Sequence, residues 1–138
     1  MRYLVLISDY DGTLASNGKV DEAAIAALER VRVSGRRAIL ATGRRLEELF
    51  AVFPRLDLFD YVVAENGALV YSPRTKETIA LAKPPPKEFV ERLRELGVED
   101  IAVGQVIVAT WVPHHLAVLQ AIREFGLELL IVFNVSFR

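Results

Sequence analysis

An apolar run, Tyr3-Leu4-Val5-Leu6-Ile7, opens directly onto Ser8-Asp9-Tyr10-Asp11-Gly12-Thr13. Near-continuous apolar character fits a strand buried in a parallel sheet better than an alternating surface strand. The acids then sit at a strand's carboxyl end, where open α/β sheets place their ligands. Residues two apart at a strand end can converge on one side. Asp9 and Asp11 are therefore candidates to share a cation and to divide the work of nucleophile and proton donor. Gly12 permits a tight turn with a backbone N–H free to approach an anion, and Thr13 adds a hydroxyl.

The residues that follow read as a strand-helix-strand unit. Ala24, Ile25, Leu28 and Val31 recur at helical spacing, predicting a helix over roughly 21–34 that stops at Gly35. Arg37-Ala38-Ile39-Leu40-Ala41 predicts a second buried strand, placed beside the first by a right-handed parallel crossover. It ends in Thr42-Gly43-Arg44-Arg45, ahead of a helix whose apolar face is Leu46, Leu49, Phe50 and Phe53 and which ends near Pro54. A hydroxyl, a glycine N–H and a helix amino terminus suit an anion, which makes Thr42 and Gly43 candidates to hold phosphate. Arg44 and Arg45 diverge on a helix, so at most one of them reaches that anion. A third strand, Asp60–Ala64, runs into Glu65-Asn66-Gly67-Ala68 and a further extended run, Leu69–Tyr71. Asn-Gly between two such runs signals a hairpin, and a turn can also present the Asn66 side chain.

A hydrophobic strand entering Asp9-Tyr10-Asp11-Gly12-Thr13 resembles the first motif of the haloacid dehalogenase superfamily of phosphohydrolases. Ala41-Thr42-Gly43-Arg44 and Glu65-Asn66-Gly67-Ala68 resemble segments of its Cof-like, type IIB, branch. The resemblance implies an α/β fold with a Rossmann-like parallel sheet core and a small α+β cap. It also implies a magnesium-dependent phosphohydrolase acting on a small phosphorylated metabolite through an aspartyl phosphate. Asp9 would be nucleophile and metal ligand, and Asp11 general acid and base and a ligand through its backbone. Gly12, Thr42 and Gly43 would bind phosphate, and Asn66 would contact substrate. Complete members carry, after the cap, a Lys and a second acidic motif, for which residues up to 138 offer no counterpart. The resemblance thus implies an amino-terminal half, with weak magnesium binding and slow turnover expected. An inactive phosphate-binding or assembly module is the alternative. A receiver-like phosphoacceptor fits less well, because Asp9 lies on the first strand.

Lys83-Pro84-Pro85-Pro86 is a stiff spacer that predicts a boundary, with a core over 1–83 and a partial cap over 84–138. The cap pattern predicts a helix over roughly 87–96, strands near 100–103 and 105–111, a helix from Pro113 to Phe125, and a last strand, Leu127–Phe133. Trp111 is expected in the cap core. His114 and His115 point apart on a helix and are expected at a surface or a helix start rather than on a metal. In the superfamily the first strand's second neighbour arrives after the cap, which would leave Tyr3–Ile7 as an apolar edge. Two remedies are open, a homodimer across that edge or recruitment of Leu129–Phe133 to it, and the homodimer is expected because the cap pattern already uses the last strand.

Composition narrows the function classes. A chain of 138 residues that is 52% hydrophobic can bury a core and is not disordered in type. With 17 basic and 18 acidic side chains, the net charge of -1 makes no electrostatic case for nucleic acid or an anionic membrane. Cysteine is absent, which excludes thiolate chemistry and disulfides. The first apolar run stops at Ser8 and Asp9, too soon for a signal peptide or a membrane span, so the cytoplasm is expected.

Overall fold

Residues 2–134 are described in a computed structural model, and the chain divides into two compact units, one ending at Ala82 and the next beginning at Lys83. The first unit is built on one sheet in the order β1 (Val5–Asp9), β2 (Arg37–Ala41), β3 (Tyr61–Ala64), β4 (Leu69–Ser72) and β5 (Glu77–Ala80). The first two pairings are parallel and the last two antiparallel. Between the parallel strands run α1 (Glu22–Val33) and α2 (Leu46–Val52). The Asp21 carboxylate caps α1 by accepting from the Ala24 N–H at 2.8 Å. Gly35, at φ +80°, takes the chain out of the helix in a conformation that costs other residues.

Register decides the core. Leu40 pairs with Val62, so Ala38, Leu40, Val62 and Ala64 share one face of the sheet, and all four are buried. They join Leu28 of α1 and Leu46 and Leu49 of α2 in a single apolar cluster with Tyr10, Phe53 and Phe59. The opposite face is barer. Val5 is 48% exposed, Ile7 65% and Tyr61 47%.

The expectation of burial for the first strand is therefore corrected, while the expected apolar edge is present: among the described residues β1 is an edge strand paired with β2 alone. An apolar run predicts burial, yet burial needs an element on the far side, and the described residues supply none.

In the second unit, α3 (Lys87–Glu95) and α4 (His115–Phe125) bury Phe89, Val90, Leu93, Ala121 and Ile122 together. The Arg92 guanidinium donates to both Glu124 oxygens, from Nε at 2.8 Å and Nη2 at 3.2 Å, tying the two helices at their surface. The expected strands shrink to a two-residue ladder, β6 (Ala102–Val103) with β7 (Val108–Ala109). Three expectations fail here. Pro113 does not open α4: the His114 N–H donates to the Trp111 carbonyl at 3.0 Å, a turn that holds the proline outside the helix. Trp111 is 49% exposed rather than in the core. Leu127–Phe133 forms no strand over its residues; Leu127, Leu129 and Ile131 pack on the cluster while Leu130 and Val132 face solvent. That alternation is what a strand would show, but a two-residue ladder offers no edge long enough to pair it.

Candidate active site

The parallel register brings the two sequence motifs to the same end of the sheet. Asp9, the last residue of β1, stands opposite Ala41, the last of β2, so Thr42 begins the loop beside the acidic one. The Asp9 side chain is exposed at the strand tip, where its Oδ2 accepts a long hydrogen bond, 3.4 Å, from the Thr13 hydroxyl.

The loop after Asp9 closes on itself. Ala15 N–H donates to the Tyr10 carbonyl at 2.8 Å, and Leu14 N–H to the Asp9 carbonyl at 3.3 Å. Gly12, at φ +77°, makes the turn expected of it, but its N–H donates to the Ala15 carbonyl at 2.9 Å. The expectation of a Gly12 N–H free for an anion is thus corrected, because closing this loop consumes that donor. Tyr10 is fully buried under the loop and donates its hydroxyl to the Gly18 carbonyl at 2.8 Å. Burial pushes the Tyr10 pKa up, which keeps the donating proton in place.

Thr42 is 6% exposed, and its Oγ1 accepts from the Arg44 N–H at 3.1 Å. A hydroxyl that accepts in this way keeps its own proton to donate. Gly43 lies exposed between them, and its N–H makes no hydrogen bond among the described residues. Helix α2 begins only at Leu46 and is seven residues long, so the anion site foreseen at a helix amino terminus reduces to Thr42 and Gly43. Asn66, at φ +56°, is held beside this loop by its N–H, which donates to the Thr42 carbonyl at 3.3 Å.

Two site residues escaped the sequence reading. The spacing leaves Arg44 at most an anion to reach; in the structure it holds Asp11, with Nε 2.7 Å from Oδ2 and Nη2 2.8 Å from Oδ1. That bond raises the Arg44 pKa further above its ordinary value. The available signal was opposite charges just past the ends of strands expected to be neighbours. Glu65 reads in the sequence as part of a turn, yet it is 1% exposed, with its N–H donating to the Arg44 carbonyl at 3.0 Å. Arg45 turns instead to Glu48, with Nη2 2.8 Å from Oε1. No signal in the sequence separates Glu65 from an exposed turn residue.

A metal has a short list of donors here. Among the described residues no three His, Cys, Asp or Glu side chains cluster to hold one. The Asp9 carboxylate and the Asp11 main-chain oxygen are hard oxygens, which suit magnesium in kind; Asp11's carboxylate is engaged by Arg44. The second unit offers no alternative. His114 and His115 sit at the start of α4, and the His115 ring meets Phe133 edge-on at 5.7 Å.

The haloacid dehalogenase-like hydrolase family matches residues 6–110, which include both motif loops and all of the five-stranded sheet but Val5. The chain belongs to that family. Among its relatives, the phosphoglycolate phosphatase of Pyrobaculum islandicum is 36% identical over 74 residues, 51% of this chain and 32% of that protein. The glucosyl-3-phosphoglycerate/mannosyl-3-phosphoglycerate phosphatase of Persephonella marina is 24% identical over 142 residues, covering 88% of this chain and 53% of that one. A solved haloacid dehalogenase subclass IIB sugar phosphatase superposes with a TM-score of 0.54 at 26% identity, over 88% of this chain and 48% of its own. The chain thus spans about half, or less, of the length of the relatives it matches. Among the described residues no helix is long and apolar enough to cross a membrane.

Proposed function

We propose that the chain carries the nucleophilic half of a phosphohydrolase acting on a small phosphorylated metabolite such as a sugar phosphate. The observation that carries this reading is the register Asp9 to Ala41, which sets an exposed carboxylate beside the Thr42 loop at the carboxyl ends of parallel strands. The three relatives described above, phosphatases of phosphoglycolate, of glycosyl-phosphoglycerates and of sugar phosphates, support the substrate class.

In this reading Asp9 attacks phosphorus through a carboxylate oxygen and the bond from phosphorus to the leaving oxygen breaks. Asp11, entering as the acid, gives its proton to that leaving oxygen. Water then attacks the aspartyl phosphate, Asp11 takes the water's proton, and the bond from Asp9 to phosphorus breaks to release inorganic phosphate. Both carboxyls return to their starting states. The Thr42 hydroxyl and the Gly43 N–H hold the phosphoryl oxygens, Gly12 shapes the loop, and Asn66 borders the substrate. Magnesium, held by the Asp9 carboxylate and the Asp11 main-chain oxygen, would neutralise phosphate charge when bound.

Phosphate release in magnesium buffer, compared with Asp9→Asn, tests the proposal. Loss of release in the variant is expected. Release that survives Asp9→Asn belongs to other chemistry and defeats the reading. A chain that binds inorganic phosphate yet releases none is the assembly module instead. We also propose that two copies pair across the exposed β1 edge.

A further inference from the structure

We infer that the hairpin over residues 16–19 forms a second substrate subsite, in which the Lys19 ammonium receives a carboxylate carried by the phosphate ester. The inference deepens the phosphohydrolase reading and rests on it. A pocket of about 710 Å³ opens along residues 11–21, within the size range of small-molecule sites. Thr13 joins this pocket to the chemistry, since it lines one wall and its hydroxyl donates to Asp9 Oδ2 at 3.4 Å. One side chain thus separates the pocket from the attacking carboxylate. A substrate with its phosphorus at Asp9 can extend its other end into it.

The wall that carries Lys19 is rigid. Asn17 and Gly18 take φ values of +51° and +76°, the paired positive φ of a tight hairpin turn, and Asn-Gly is a sequence that adopts it readily. Ser16 and Lys19 close the turn with two backbone bonds, at 2.9 Å from the Ser16 N–H and 3.0 Å from the Lys19 N–H. Tyr10, fully buried, pins it by donating its hydroxyl to the Gly18 carbonyl at 2.8 Å. The root of the Lys19 side chain is therefore fixed before a ligand arrives, which lowers the ordering cost of binding.

Charge decides which ligand fits. Asp11, Asp21 and Lys19 are the charged residues of the pocket, and both acids are already engaged. Arg44 holds Asp11 on both oxygens, and the Asp21 carboxylate caps α1 through the Ala24 N–H. Among the described residues the Lys19 ammonium has no ion-pair partner, and the Ser16 hydroxyl and Asn17 amide make no side-chain hydrogen bond. What the pocket has left to offer is donors, one of them charged. A carboxylate accepts from such donors and gains from the charge, whereas a neutral hydroxymethyl group gains little. The substrate class selected is a phosphorylated hydroxy acid, with phosphate at one end and carboxylate at the other.

Two esters of equal length that differ only in that end group test the assignment: 3-phosphoglycerate and glycerol 3-phosphate. In Lys19→Gln, KM for 3-phosphoglycerate is expected to rise about 5-fold to 20-fold, while both kcat values and KM for glycerol 3-phosphate change less than about 2-fold. Lys19→Arg is expected to keep most of the parent's affinity. Thermal melts of both variants are expected to match the parent, because Lys19 has no internal partner to lose. Equal changes on the two esters, or none on either, overturn the inference. Phosphonates, whose carbon–phosphorus bond this chemistry does not cleave, give a reading without turnover. 3-Phosphonopropionate is expected to shift the backbone amide signals of Gly43, Gly18 and Lys19, and ethylphosphonate that of Gly43 alone. A 3-phosphonopropionate titration that moves Gly43 and leaves residues 16–19 still overturns the subsite while the phosphate site stands. No phosphate release, with no shift at Gly43 from either phosphonate, removes the phosphohydrolase reading and the subsite with it.

Discussion

Strands β1 and β2 are adjacent, parallel and both mostly apolar, yet they live in different surroundings. Leu40 in β2 is 0% exposed, whereas Leu6 in β1, on the same face of the sheet, is 39% exposed, and Ile7, on the barer face, is 65% exposed. Nothing in the side chains accounts for that difference. β2 has a strand on either side and helices against one face; among the described residues β1 has one neighbouring strand. Burial is a property of the arrangement, and an apolar run reports only what a strand can tolerate. The two strands also divide the proposed chemistry, because the more exposed one ends in the attacking carboxylate and the more buried one in the phosphate grip.

The largest test of the contrast is stability. Leu40→Ala is expected to cost about 2–5 kcal/mol, against under about 1 kcal/mol for Ile7→Ala, since only the first leaves a cavity. Denaturant midpoints of the two variants measure it, and equal costs would mean that the β1 face is covered in solution. Next comes the chemical division. Thr42→Ala should slow phosphate release by about 10-fold to 100-fold, with Thr42→Ser retaining most of the rate, because the grip is one hydroxyl of several donors. A Thr42→Ala chain with unchanged kinetics would move the grip elsewhere. Smaller still is the effect on association: Val5→Lys or Ile7→Lys should shift light scattering toward the monomer, as a charge on an edge strand opposes pairing. Scattering that does not change with either lysine contradicts pairing through β1.

The smallest expected effect sharpens the comparison from the second unit, which has no strand edge of this kind. Arg92, with help from Gln120, holds Glu124 at about 2, below its ordinary 4.5. A lowered carboxyl contributes stability that is present above 4.5 and is lost as pH falls through about 2. Glu124→Gln should therefore flatten the acid limb in that window. High salt should do much the same, because the pair is exposed and readily screened.

How much was legible follows from the same physics. The helix and strand order of the first unit, the parallel pairing and the meeting of the two motifs were all readable, because periodicity and crossover handedness are local or nearly local rules. The Arg44–Asp11 fork was not, since it depends on which rotamers two loops select once they are side by side. The fate of Gly12's N–H was hidden for a related reason: a glycine announces a turn, but not which carbonyl closes it. Leu127–Ile131 shows the opposite failure, where a correct alternation found no ladder to join.

The turn after β3 holds a lesson for anyone who would transplant this site. Glu65, Asn66 and Gly67 take φ values of +52°, +56° and +93° in succession, a conformation that costs an ordinary side chain about 1–2 kcal/mol at each step. The outlay is returned by two backbone bonds, from Glu65 to the Arg44 carbonyl and from Asn66 to the Thr42 carbonyl. A scaffold given Asp9, Asp11, Thr42 and Arg44 alone would lose both of those bonds and keep the loop on the Thr42 N–H bond to the Val63 carbonyl and the Arg44–Asp11 pair. The portable unit has to include residues 65–67, and a variant library should find position 67 restricted to glycine while Asn66 tolerates little beyond aspartate and glycine.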